Sequence, residues 1–324
     1  MPSIKDVAKE AGVAPSTVSL VLNNKGYVSD KTRKKVELAI DKLNYIPSEV
    51  ARNLSLNRTK TIGVVVPSIS HPFFAELLES LETELYKLDY KMMLCCTKFK
   101  ENYEAAFIEM LKRKTMDGMI MAAHHLEVKI EENLNYPIIA FDCYINNNIP
   151  IINSNHSLGG ELAAKVLLKH NCKFVIDIAG HQATPSPSNE GHQNFCRVMR
   201  ENGVKCEMLE MDWNALHYQD YLKMAENLFK KHPKVDGIFG TDVAILSCMN
   251  VASNLGIKIP QDLKLLSYDG TNLTKIGMSN LTTIRQPIEE LAKIAVQKII
   301  NKINKIDDNL PLILNPYLIE GETC

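Results

Sequence analysis

The sequence predicts a small all-α head followed by an α/β body built as two doubly wound, parallel-sheet lobes. Three observations carry this reading. Up to about residue 46, apolar residues recur at helical spacing between short breaker segments. From Thr61 the pattern changes to short, nearly continuous apolar runs alternating with helical stretches, the signature of parallel strands covered on both faces. That alternation then restarts after residue 170, which makes two lobes. The domain boundaries follow: a head at 1–46, a linker or hinge at 47–60, and a body at 61–324. A chain of 324 residues, 45% hydrophobic, suits a small head with a two-lobed body.

In the head, Ile4, Val7, Ala8 and Ala11 fall at i, i+3, i+4 and i+7, one face of a helix. Ser3 caps it, with Asp6 three residues on in a capping-box arrangement. Gly12 breaks the helix and Pro15 opens the next one at a first-turn position. Val18, Val21 and Leu22 form its apolar face, leaving Ser16, Thr17 and Leu20 on another. Two short helices joined at a glycine make a helix-turn-helix, whose second helix enters the DNA major groove; spacing alone leaves an ordinary helical hairpin open. A third helix, capped by Ser29, repeats the stripe with Val36, Ala39, Ile40 and Leu43. Its outer surface carries Lys31, Arg33, Lys34 and Lys35. Through residue 60 the chain holds eleven Lys and Arg against six acids. With a total of −1, this places +5 on the head and hinge together and −6 on the rest, the footprint of a phosphate-binding head.

The hinge is polar and too short to hold a helix alone in water. Ser48 is placed to cap it, and Val50, Ala51 and Leu54 form a small apolar face. In the body, strands are expected at 61–67, 91–96, 118–123, 137–142, 173–180, 204–210, 235–240 and 263–269. Helices are expected at about 72–88, 103–113 and 128–134. Doubly wound lobes bind ligands at the carboxyl ends of their strands. Those ends bring Ser68, Phe73, Phe74, His124, His125 and Asp142 from the first lobe, and Asp212, Trp213, Asp242 and Tyr268–Asp269 from the second. Carboxylates, hydroxyls and aromatic faces suit a sugar. Adjacent His124 and His125 point opposite ways on a strand end, which argues against a shared metal. Phe74 reads as core, whereas isolated carboxylates closing apolar strands need partners.

Several classes are excluded. No run of about 18 apolar residues spans a membrane, and charges at Lys5, Asp6, Lys9 and Glu10 interrupt any secretory core. Eight cysteines show no C-x-x-C spacing and read as reduced thiols of a cytoplasmic protein, without disulfide frame or metal site. There is no G-x-S-x-G elbow, Walker loop or dinucleotide fingerprint after a strand, so no enzyme and no cofactor is expected. A transporter's solute-binding protein shares the body pattern but lacks a basic helical head.

The runs IKDVAKEAGVAPSTVSLVLN and NYIPSEVARNLSLNRTKTIGVVVP, with GIKIPQDLKLLSYDG and LTTIRQP downstream, resemble the lactose-repressor (LacI/GalR) family of bacterial transcription regulators over nearly the whole chain. The resemblance implies a periplasmic-binding-protein-like body whose chain crosses between lobes three times. Its partners are operator double-stranded DNA, a small sugar or sugar-phosphate effector in the interlobe cleft, and a second copy in a homodimer; no leucine-heptad tail follows residue 320 to make a tetramer. DNA contacts are carried onto Ser3, Pro15, Ser16, Thr17, Leu20 and Asn23, and onto Lys31, Thr32, Arg33, Lys34 and Tyr45. Ala51 and Leu54 belong to a hinge helix that folds on the operator, with Leu54 wedged into a base step. Phe73, Asp142, Trp213, Asp242 and Asp269 match effector positions, to which Ser68, His124 and Asn189 are added. Within the family, the run from Tyr268 to Thr271 is similar to the sucrose-operon repressors. Two departures stand out. Gly191 occupies the place of an effector-site arginine, leaving His192 or Gln193 to substitute or the site altered. Leu20 stands where many relatives carry a polar base reader; it can touch a thymine methyl but cannot donate to guanine.

Overall fold

Ten helices and twelve strands follow one another in the computed structural model, which describes residues 2–324 except 25, 49–50, 52, 54–57, 98–102, 124–135, 184, 213–216 and 277–278. They form two units, residues 1–59 and 60–324.

The first unit opens with α1 (Ile4–Ala11), α2 (Pro15–Leu22) and α3 (Asp30–Leu43). The capping box forms: the Ser3 N–H donates to Asp6 Oδ2 at 2.8 Å, and Ser3 Oγ accepts from the Asp6 N–H. Gly12 closes α1 at φ +66°, a left-handed cap that glycine adopts without strain. The expected stripes meet in one small core: Val7, Ala8, Ala11, Val18, Val21, Val36 and Ala39 are buried, with Ile40 and Leu43 packed against them. Ser48 Oγ accepts from the Ala51 N–H at 3.3 Å.

The second unit contains two six-stranded sheets. The first runs β11 (Ile313–Leu314), β5 (Ile151–Ser154), β4 (Ile138–Phe141), β3 (Gly118–Met121), β1 (Thr61–Val66), β2 (Lys91–Cys96), all parallel. The second runs β12 (Tyr317–Ile319), β10 (Thr282–Arg285), β9 (Lys264–Asp269), β8 (Gly237–Thr241), β6 (Phe174–Ala179), β7 (Lys205–Glu210), parallel except for β12. Each sheet is covered on both faces, which is why its strands read as unbroken apolar runs. In the first lobe α4 (Pro72–Tyr86) and α10 (Ile288–Asn304) bury one face, α5 (Tyr103–Lys112) the other. In the second, α8 (Tyr218–Lys231) and α9 (Asp242–Asn254) cover one face. Helices α6 (His156–Lys169) and α7 (Ser188–Glu201) cover the other. The chain passes between the sheets three times, after β5, β10 and β11. The helix expected at 128–134 lies outside the described residues.

Candidate functional site

Two surfaces concern function. On the head, Val18 and Val21 turn α2 inward, so Pro15, Ser16, Leu20 and Asn23 face outward and Thr17 is half-buried. No acidic residue lies in the first turn of α2. An exposed, uncharged helix start of this kind is free to approach base edges, while Lys31 and Lys34 stay exposed on α3. Other expected contacts have structural tasks. Ser3 is the cap of α1. Thr32 Oγ1 lies 2.9 Å from Ser29 Oγ, and Arg33 donates to Asn24 Oδ1 at 2.8 Å. The Asn23 amide donates to the Ser19 carbonyl at 2.8 Å, and Tyr45 packs on the head's core. Ala51 is exposed. Leu54 lies outside the described residues.

The second surface is the seam where strand ends of the two lobes meet. Asp142, just beyond β4, sits at φ +51° and presents Oδ1 2.8 Å from His156 Nε2. The other ring nitrogen of His156, Nδ1, lies 2.8 Å from the Tyr268 hydroxyl on β9. Asp269, the last residue of β9, is buried at φ +96°; its Oδ1 accepts from Gln286 Nε2 at 2.8 Å. Gln286 in turn accepts from Ser154 Oγ of the first lobe at 2.7 Å. Burial, then the charges of Asp242 and Asp142, hold the Asp269 carboxyl well above the usual range.

Asp242, also expected at the effector, is held within its own lobe. It is 1% exposed, and its carboxylate accepts from the Gly270 and Thr271 N–H groups and from Thr271 Oγ1. It ties α9 to the turn after β9, where Gly270 passes so close to Arg285 that a Cβ would lie 2.7 Å from the Arg285 Cα. Burial raises its pKa to about 6, against the pull of those hydrogen bonds. Arg285 is likewise committed, donating to the Gly270 carbonyl and to Glu289.

Both rings of the aromatic pair pack on the first lobe's core. Phe73 is 5% exposed within the first lobe's core, against Phe141, while Phe74 is the more open ring, edge-on to His71. As the second residue of a helix opened by Pro72, Phe73 points back onto the sheet. Ser68 is buried, its Oγ accepting from the Ser70 N–H at 3.1 Å. Asn189 is half-buried in the first turn of α7, bonded to Gln182. His124 and Trp213 lie outside the described residues. His192, beside Gly191, pairs its Nδ1 at 2.8 Å with Asp177 of β6, which is 0% exposed. Sequence reasoning missed His156; its one signal was a histidine directly after a helix-capping asparagine, Asn155.

Residues 3–48 match the model for bacterial regulatory proteins of the lacI family. Residues 59–316 match the model for periplasmic binding proteins and the sugar binding domain of the LacI family. A sucrose operon repressor of Streptococcus mutans is 38% identical over 99% of this chain and 98% of its own. A ribose operon repressor of Halalkalibacterium halodurans is 37% identical over 94% and 91%. Among solved structures, a lac repressor dimer bound to operator and the anti-inducer ONPF superposes with a TM-score of 0.84 at 21% identity, covering 99% of this chain and 98% of that one. The two family models together span the chain almost end to end, and the chain belongs to the lacI family of bacterial regulatory proteins.

Proposed function

We propose that this protein is a transcriptional repressor that binds operator double-stranded DNA as a homodimer and is controlled by a small sugar, with sucrose the first to try. The observation that carries this reading is the pairing of an exposed, acid-free recognition helix with a seam of carboxylate, imidazole and hydroxyl groups between two lobes. The head supplies DNA affinity through Lys31, Arg33 and Lys34 near phosphates, and discrimination through Ser16, Thr17 and Leu20. Leu54 is the residue that turns hinge folding into operator bending. Asp142, Asp269, Asn189 and Trp213 face the effector, with Ser68, Phe73 and His124 around them. The effector acts only through the free energy by which it distinguishes the two lobe arrangements. The chain runs no catalytic step in this reading and works in the cytoplasm. The relatives favour a sugar: sucrose and ribose operon repressors stand among them.

The test is a fluorescence-anisotropy titration of duplexes selected from a random library, repeated with sucrose, ribose and sugar phosphates. Sequence-selective binding that one sugar alone shifts supports the reading. Binding with a steep salt slope but no sequence preference refutes it.

A further inference from the structure

Three groups from three elements form one hydrogen-bonded chain across the lobes: Asp142 beyond β4, His156 opening α6, and Tyr268 on β9. An ionised carboxylate only accepts, and the phenol has a single proton to give. One tautomer of the imidazole satisfies both partners, accepting at Nδ1 from Tyr268 and donating from Nε2–H to Asp142. Burial, then the charges of Asp142 and Asp269, keep the Tyr268 phenol protonated, as this requires.

The chain has a seat built for it. A Cβ on Gly159 would lie 2.8 Å from the Tyr268 ring and 3.0 Å from its hydroxyl. A Cβ on Gly191 would lie 2.9 Å from the His156 carbonyl oxygen and 3.3 Å from its Cβ. Two glycines, one on each helix, thus clear the space that Tyr268 and His156 occupy. The His156 ring is nearly fully buried, and Asn155 caps its helix by accepting from the Leu158 N–H at 3.1 Å. Asp142 is held a second time from the second lobe, its carbonyl accepting from Ser186 Oγ at 3.3 Å. A rigid imidazole of fixed length bridges one separation of Asp142 and Tyr268 and no other.

We infer that His156 is a positioning residue of the cleft: it fixes the Asp142 carboxylate of the first lobe to Tyr268 of the second, so that Asp142 is set to receive a ligand hydroxyl only while this chain is closed. A polyol that donates to Asp142 then favours the closed-chain arrangement, and this preference is the coupling free energy it can send to the head. The inference rests on the reading above that the cleft holds the effector.

The experiment compares Tyr268→Phe, His156→Ala and His156→Gln in the full chain. It uses hydrogen exchange of the ligand-free protein and calorimetric titration with sucrose. Losing one neutral hydrogen bond corresponds to about a three- to ten-fold effect. Tyr268→Phe and His156→Ala should speed exchange at the crossing segments 155–158 and 286–288, with core strands unchanged. Both should weaken sucrose binding about three- to ten-fold. His156→Gln, which keeps a donor and an acceptor, should recover part of each. Unchanged exchange at the crossings overturns the inference, whatever sucrose does. So does equal loss of sucrose affinity in His156→Ala and His156→Gln. Faster exchange in a protein whose wild type ignores sucrose upholds the chain and removes sucrose from the proposed function instead.

Discussion

Gly160→Ala adds one methyl at the closest approach of α6 and α7. The new Cβ would sit 2.1 Å from the Gly191 carbonyl oxygen, 2.9 Å from its carbon and 3.1 Å from the Phe195 nitrogen. All three are backbone atoms, so no rotamer change relieves the clash. A carbon sits about 3.3 Å from a carbonyl oxygen at its closest favourable contact, so the helices must part by roughly 1 Å. A gap of that size forfeits about a quarter to a half of the dispersion energy across it. The groups affected are Ala163, Ala164 and Leu167 against Phe195 and Met199, all 0% exposed. Alanine's helix propensity returns about 1 kcal/mol. Overpacking costs about 1–3 kcal/mol or more, and a backbone-to-backbone clash belongs at the upper end. The expected net loss is about 2 kcal/mol, read as a lower urea midpoint at unchanged slope. Gly180→Ala is the control, since nothing lies within 4 Å of its Cβ, and it should match or slightly exceed wild type. Gly160→Ala within about 0.5 kcal/mol of wild type, below the usual overpacking range, refutes the close-packing argument.

Lys34→Ala should weaken binding to all duplexes alike and reduce the salt slope by about one, whereas Thr17→Ala should lose discrimination between selected and random DNA. Identical behaviour of the two would show that α2 is not the reading helix. Asp242→Asn puts an amide donor among the donors of Gly270 and Thr271 and should cost about 1–3 kcal/mol in urea. A weaker sugar affinity at undiminished stability would instead return Asp242 to the effector. Asp242, raised from 3.8 to about 6, and Asp269, also raised, both bind protons more tightly folded than unfolded. Their contribution is complete below pH 3.8 and is lost as pH rises through 6 and beyond. For His192, burial lowers the pKa but the charge and hydrogen bond of Asp177 outweigh it, so its contribution falls away as pH rises above 6.5. Thermal midpoints taken across this range should therefore fall in Asp177→Asn by less than in wild type above pH 6.5.

What was legible in the sequence was what local pattern decides. Ser3, Gly12, Pro15 and Ser29 mark the head's helix ends because capping and left-handed caps involve residues at most a few positions apart. Strands β1 to β4 and β6 to β9 were legible because burial on both faces leaves continuous apolar runs. The strands β5, β10, β11 and β12 were not: they are two to four residues long and include polar residues such as Asn153, Ser154, Thr282 and Thr283. Their strand character comes from the neighbours they pair with, Ile152 against Phe141 and Thr283 against Ser267. Asp242 read as a cleft acid because an isolated carboxylate ending an apolar strand needs partners. Those partners are backbone N–H groups 28 and 29 residues away, which no spacing rule reveals.

The Gly191 position shows how a substitution at one residue is answered elsewhere. Considered on its own helix, the loss of a cationic side chain leaves the seam without a donor, and the neighbours His192 and Gln193 are the obvious replacements. His192 is turned away, bound to Asp177 in the interior, and Gln193 is exposed on α7. Yet an arginine at 191 could not be restored simply, because its Cβ would press on the His156 backbone. The donor facing Asp142 comes from that same His156, on the adjacent helix, in the space the glycine leaves open. At the seam the partner of the Asp142 carboxylate is the His156 imidazole. A neutral polyol, whose hydroxyls can donate to Asp142, suits this seam better than a phosphate ester, which a carboxylate repels.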